Sequence, residues 1–219
     1  MLSPVLSAYL RGGRAFRAPS FNELYYPGFS NPNLKPEQSD QAEAGLRWRG
    51  SGANKYRFDV TYFENRIDDL IVFDTVTSQP QNLKRARITG WEVQAAGSVV
   101  GMTVKAALTV QNPRDRDSGA QLRSRAKQFG SLAAASRFGD WDLSGDIVAS
   151  SARFDSSNEN PATRMGGYAL LNMMLRYRID KTWSMELVGQ NLTDKKYELA
   201  QGYNTPSRSI FLNVRAVAF

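Results

Sequence analysis

The 219-residue chain contains no cysteine and no histidine. Without cysteine there is no disulfide framework and no thiol chemistry. Without histidine the chain lacks the commonest general base near neutral pH and the commonest transition-metal ligand. It also lacks any apolar run of roughly 18 residues or more, so no segment reads as a transmembrane helix. Met1-Leu-Ser-Pro is not followed by the apolar stretch of a secretory signal. Charge is present but unclustered. Lys and Arg number 28 against 21 Asp and Glu, a formal +7 with a pI near 9.7, yet the cations are scattered along the chain. A nucleic-acid partner is therefore not expected.

What is present is alternation. Met102, Val104, Ala106, Leu108 and Val110 interleave with Thr103, Lys105, Ala107, Thr109 and Gln111. Trp183, Met185 and Leu187 interleave with Ser184, Glu186 and Gln190. Similar patterns run through Val5–Gly13, Gln41–Arg49, Tyr56 to about Asp74, Asn82–Ala96, Trp141–Ser150, Tyr168–Ile179 and Ser207–Phe219. Arg125–Phe138 reads as a strand whose faces the pattern leaves unassigned. Period-two alternation marks strands with a different environment on each face. The mean hydropathy of −0.44 does not argue against a membrane location, because half of each strand in a membrane barrel faces water.

About ten strands follow, and the pattern predicts that their connections alternate in length. Short links fall near Gly50, Val99, Gly139 and Asp180; long ones fall near Pro27, Ser78, Ser118, Asn158 and Gln201. Aromatic residues (Trp48, Tyr56, Phe138, Trp141, Tyr177, Trp183 and Phe219) gather beside the short links. Short turns at one end, long loops at the other and an aromatic girdle are how outer-membrane barrels are built. The expected fold class is all-β, an antiparallel transmembrane β-barrel of up-and-down strands. A soluble antiparallel sheet would also alternate, but it would not need the one-sided aromatics. Since an exported barrel needs a signal, a truncated chain is expected.

The loops resemble those of TonB-dependent outer-membrane receptors. The resemblance is carried by Arg14-Ala-Phe-Arg-Ala-Pro-Ser-Phe-Asn-Glu-Leu24 with Asn31-Pro-Asn-Leu-Lys-Pro-Glu37, by Asn82-Leu-Lys-Arg-Ala-Arg-Ile-Thr-Gly-Trp-Glu92, and by Gln190-Asn-Leu-Thr-Asp-Lys-Lys-Tyr197. Leu122–Gln128, Met165-Gly-Gly167 and Gly202–Arg208 are most similar to the cobalamin receptors of that superfamily. The resemblance implies a barrel of roughly 22 strands, of which this chain would be the C-terminal part, lacking the plug domain and N-terminal strands. It implies cobalamin or another large substrate as ligand, the TonB complex and the barrel-assembly machinery as partners, outer-membrane lipid as solvent, and no cofactor. By motif match, Tyr203 and Asn204 are candidate ligand contacts, as are Arg123 and Arg125, which flank the aligned Ser124. The terminal Phe219 matches the family's assembly signal. In the last strand, however, Ile210, Leu212 and Val214 share one parity while Phe211, Val217 and Phe219 share the other. A bulge or register shift near Arg215 is expected to reconcile them.

Other constellations carry less. Asn112, Asp115 and Asp117 offer oxygen ligands of the kind calcium takes, but too few carboxylates for a strong site. Asp68 and Asp69 are adjacent on a strand and point apart, which disfavours joint acid–base work. Asn191-Leu-Thr193 matches a glycosylation sequon by coincidence. An enzymatic barrel of the omptin protease type depends on histidine and is excluded by composition. A small self-closed, porin-like barrel and a siderophore or haem receptor remain as alternatives.

Overall fold

The computed structural model describes residues 5–50, 56–74, 77–156 and 158–217, with backbone only at Leu83 and Lys84. In chain order the elements are β1 (Val5–Arg17), α1 (Phe21–Tyr25), β2 (Glu37–Arg49), β3 (Arg57–Asp74), β4 (Gln79–Val99), β5 (Met102–Asp115), β6 (Gln128–Phe138), β7 (Trp141–Ser150), β8 (Arg153–Phe154), β9 (Arg164–Met165), β10 (Tyr168–Arg178), β11 (Trp183–Gln190) and β12 (Ser209–Ala216). Ten of these form one antiparallel sheet in the order β1-β2-β3-β4-β5-β6-β7-β10-β11-β12, and β8 and β9 form a separate two-stranded ribbon. Within the large sheet each strand pairs with the next sheet strand along the chain, β7 with β10 across the intervening ribbon, an up-and-down meander. Among the described residues the first and last strands do not pair, so the sheet is open.

No second layer covers this sheet. The accessible surface is 14519 Å², whereas a compact monomer of 24.4 kDa would expose about 10,000 Å². Register, not burial, separates the two faces. The row Leu6–Trp48–Phe58–Ala95–Ala106–Leu132–Ile147–Leu171 crosses eight strands through successive paired residues. It lies on one face, as does the row Phe138–Trp141–Tyr177–Met185–Val214. The adjacent row on the other face is Ser7–Arg47–Asp59–Gln94–Ala107–Ser131–Val148–Leu170. We call the first face outward. Between the short turns and the Tyr62–Trp91 pair, no outward position of a described strand bears a charge. The Trp141 and Tyr177 rings stack tilted at 4.5 Å, part of the expected girdle; Phe219 lies outside the described residues. Pairing also assigns the faces of β6, which the alanine-rich sequence concealed: Leu132 and Phe138 point outward, Phe129, Ser131 and Arg137 inward.

The inward face is polar and held by ion pairs. Asp59, 6% exposed, accepts from Arg47 Nε at 2.9 Å and from Arg57 Nε at 2.5 Å. Arg176 Nε donates to Glu186 at 2.6 Å, and Arg178 donates to Asp142. Tyr9 lies flat across Gly45, where any Cβ would sit 2.5 Å from the ring. Its hydroxyl meets Thr61 Oγ1 at 2.7 Å and the Arg47 guanidinium lies 5.3 Å from the ring centroid. Glycine is required there by close approach.

Three expectations are corrected. The residues around Ser78 do not form a long loop, because β3 and β4 continue as a ladder and leave only 75–78 as a link. Pairing of Val72 with Gln81 and Phe73 with Pro80 carries the ladder through this stretch, and Phe73 packs on Phe29 at 5.6 Å. The stretch 154–166, read as plain loop, contains the β8–β9 ribbon and a 3-10 turn at Pro161–Thr163. Last, β12 has no bulge: β11 and β12 pair without a slip from Trp183–Ala216 to Gln190–Ser209. Ile210, Leu212 and Val214 are outward and Phe211 inward, because an unbroken ladder keeps the backbone groups that face β11 paired and tolerates one apolar ring on the wet face.

The short turns have local causes. Val100 and Gly101 both have positive φ (49° and 77°) and Gly139 alone does in its turn (58°). These are the two hairpin geometries whose twist matches the strands.

Candidate ligand-binding site

The longer connections (18–36, 116–127, 151–167 and 191–208) all emerge at one end of the sheet. The motifs that carried the resemblance are mostly their scaffolding. Ser20 caps α1: its hydroxyl accepts from Glu23 N at 3.3 Å while Glu23 accepts from Ser20 N at 2.7 Å, a reciprocal box. Arg17 grips both Glu23 and Glu37, and Glu37 also accepts from Ile71 N at 2.8 Å. Asn31 donates to the Pro80 carbonyl at 3.1 Å, and Asn82 joins Lys35 through both its carbonyl and its amide. The first loop is thus pinned to the β3–β4 hairpin. Asn191, 5% exposed, folds the last loop by donating to the carbonyls of Lys195 and Pro206 and accepting from Lys195 N. Its left-handed φ of 47° explains why the strand stops there.

A second set of contacts joins three loops into one cluster. Arg123 Nε donates to Asp155 Oδ1 at 2.9 Å, and Gln201 N donates to Asp155 Oδ2 at 2.9 Å. Gln201 Nε2 also donates to the Ala162 carbonyl at 2.9 Å. Burial pushes the Asp155 carboxyl up, but the Gln201 N–H, the Arg123 guanidinium and the Ser124 hydroxyl outweigh it and hold its pKa below the usual carboxylate range. The turn that follows projects Tyr203, 74% exposed, with Asn204 beside it.

Beneath these loops Arg153 is 5% exposed. It donates to the Glu198 carbonyl at 2.8 Å and lies 5.6 Å from the Tyr168 ring centroid. Tyr168 in turn stacks on Tyr197 at 4.5 Å. A cavity of about 760 Å³ opens on the inward face here, lined among others by Gln111, Arg125, Phe129, Arg153, Tyr168 and Leu199. A neighbouring one of about 600 Å³ is lined by Lys196, Glu198 and Asn204.

The four residues expected to touch ligand thus separate into groups. Arg123 belongs to the Asp155-centred cluster, Tyr203 projects from the turn two residues after Gln201, Arg125 faces the larger cavity and Asn204 the smaller. Arg123 and Arg125 diverge because Ser124 between them has a left-handed φ of 56°. The sequence reading missed Asp155, Arg153, Tyr168, Tyr197 and Gln201. Asp155 lies 46 residues from Gln201 along the chain, and only folding brings the pair together. The possible calcium ligands are committed elsewhere: Asp115 caps the turn by accepting from the N–H of Asp117 and Ser118, Asp117 pairs with Arg85, and Asn112 accepts from Arg114. No group of three or more acidic residues able to hold a metal occurs among the described residues.

The strand architecture is found in known proteins. The family model described as "TonB dependent receptor-like, beta-barrel" matches residues 1–192. The "Vitamin B12 transporter BtuB" of Vibrio vulnificus is 30% identical over 195 residues, 86% of this chain and 30% of the relative. The protein of that name from Photobacterium profundum is 27% identical over 215 residues, 94% of this chain and 34% of the relative. Among solved structures, "Copper transporter OprC" superimposes with a TM-score of 0.77 at 18% identity, over 96% of this chain and 37% of the other. The ferripyoverdine receptor of Pseudomonas aeruginosa superimposes with a TM-score of 0.73 at 20% identity, over 96% and 31%. The chain spans about a third of the length of these proteins. An open sheet, an outward face free of charge between the short turns and the Tyr62–Trp91 pair, and the family match together identify the chain as outer-membrane β-barrel wall, a member of the TonB-dependent receptor-like β-barrel family.

Proposed function

We propose that this chain is the C-terminal ten-stranded wall of a receptor that binds cobalamin at its outer mouth and imports it with energy supplied through the TonB complex. The observation carrying this reading is the Asp155-centred cluster, which holds Arg123 and the backbone of Gln201, two residues before the exposed Tyr203, beside a broad, largely apolar cavity. A corrin ring presents an apolar macrocycle fringed with amides and a phosphate. An exposed tyrosine and a held guanidinium complement both. The two vitamin B12 transporters cited above support the substrate. The wall cannot act alone: β1 and β12 leave backbone groups unpaired, and in lipid each such group costs several kcal/mol. The remaining strands and a plug must come from elsewhere in the receptor, and the barrel-assembly machinery inserts the whole.

The decisive experiment is equilibrium binding of cobalamin to the complete receptor. Tyr203→Ala is expected to weaken it by about 1–3 kcal/mol, as loss of an aromatic anchor does. Unchanged affinity removes Tyr203 from the site. A siderophore substrate rests on structural neighbours at about 20% identity, which speak to fold alone, and stays secondary.

A further inference from the structure

The turn that carries Tyr203 rests on one buried cation. Tyr203 N donates to the Ala200 carbonyl at 3.2 Å, and Gly202 N donates to the Glu198 carboxylate at 3.3 Å. Thr205 Oγ1 closes the far side by donating to the Tyr197 carbonyl at 2.6 Å. Tyr197 and Glu198 are therefore the base from which the turn springs, and one side chain reaches both. Arg153 Nη2 donates to the Glu198 carbonyl at 2.8 Å. The Tyr197 ring stacks on Tyr168 with centroids 4.5 Å apart, and the Arg153 guanidinium lies 5.6 Å from the Tyr168 centroid. Arg153 is itself anchored, because it pairs in the β8–β9 ribbon with Met165, a residue only 1% exposed.

Stability alone does not explain an arginine here. Arg153 is 5% exposed, yet among the described residues no carboxylate pairs with it. Asp155, two positions along, is taken by Arg123 and by Gln201 N. The partners left to Arg153 are a carbonyl, a ring face and, at 3.5 Å, the Ser150 hydroxyl. Removing a guanidinium from water without a counter-charge is costly, and such contacts offset only part of the cost. A hydrocarbon side chain of similar length would serve stability as well or better, since the half-buried Glu198 can turn its carbonyl to water. What the guanidinium adds is orientation. Its edge offers N–H donors to a carbonyl while its flat face lies against a ring, and no apolar or ammonium group does both.

We infer that Arg153 is a positioning residue for ligand binding, acting through Tyr203: by holding Glu198 and the Tyr168–Tyr197 stack together it sets where the Tyr203 ring stands. The inference rests on the reading of Tyr203 as a ligand anchor.

The test uses the complete receptor, cyanocobalamin as the probe, and the variants Arg153→Met, Tyr203→Ala and the two combined. Arg153→Met is expected to weaken binding about tenfold while the denaturant midpoint in lipid vesicles stays level or rises. In the combined variant the arginine change is expected to add less than about twofold to the loss from Tyr203→Ala, because a misplaced ring and a missing ring are equivalent. Arg153→Lys is expected to recover only part of the affinity. Unchanged affinity in Arg153→Met overturns the inference. So does a parallel loss of stability, which would make the role structural, and so do additive losses, which would put Arg153 in contact with the ligand. Full recovery by lysine overturns it too, since charge alone would then suffice. A second readout needs no ligand. The chain has no cysteine, so a nitroxide on Tyr203→Cys reports the motion of the turn, and adding Arg153→Met is expected to speed that motion. Equal mobility with and without Arg153 overturns the inference. If the parent receptor binds no cyanocobalamin, the cobalamin reading fails by itself, and the nitroxide still decides whether Arg153 positions residue 203.

Discussion

Between the two aromatic levels, the outward face of the sheet offers leucine, valine, alanine and rings. One residue over on the same strands, the inward face offers Arg47, Asp59, Glu92, Asp142, Arg176 and Glu186. Neither face is packed under a second layer, so burial by protein does not distinguish them. The difference lies in which solvent each must satisfy. In hydrocarbon a charge has no partner, while in a wetted lumen it can be hydrated or paired, and the structure pairs most of them.

The sharpest way to break this contrast is to place one charge on each side. Leu132→Arg, outward in the middle of β6, is expected to destabilise a bilayer-folded receptor by about 2–4 kcal/mol. Ser131→Arg, its inward neighbour, is expected to shift stability by no more than about 0.5 kcal/mol. Denaturant titration in lipid vesicles measures both, and equal costs would mean that the faces are misassigned. Next in size is Gly45→Val. Its side chain must displace the Tyr9 ring and with it the Thr61 hydrogen bond and the Arg47 contact, at an expected cost of about 1–3 kcal/mol. Gly13→Val, with nothing within 4 Å, serves as the near-neutral comparison.

The smallest effect is expected at the loops and depends on pH. The carboxyls of Glu23, Glu37 and Asp155 are all held below their ordinary values of 4.5, 4.5 and 3.8. In each, desolvation pushes up and is outweighed by guanidinium and N–H donors. A depressed pKa contributes stability that is present above the ordinary value and lost as pH falls through the depressed one. Amide exchange in 18–36 and 191–208 should therefore be flat from about pH 5 to 8 and should accelerate, relative to the intrinsic rate, only below about pH 4. Asp155→Asn should release Gln201 N at neutral pH as well. Loosening between pH 6 and 7 would point to other groups.

The strands were legible because alternation is written residue by residue. Trp141–Ser150 has the bounds expected, and the face of every outward tryptophan followed from parity. β6 was not assigned because Ala133, Ala134 and Ala135 suit either environment, and only the partners Lys105 and Asp146 opposite Ala133 set its parity. The apparent face switch at the chain's end misled for the opposite reason: Phe211 obeys the ladder and not the pattern. In the loops the motifs were recognisable, but their physical role as clamps was invisible, since Asn31 with Pro80 and Asp155 with Gln201 are joined only across long stretches of chain.

By itself the sequence determined a ribbon with one greasy and one wet side, its turn ends and its aromatic rim, because a period of two needs no knowledge of neighbours. Tertiary structure decided which loops meet, and which arginine is held and which is free. Those facts depend on register between strands, which is fixed by pairing the whole sheet at once and appears in no single segment.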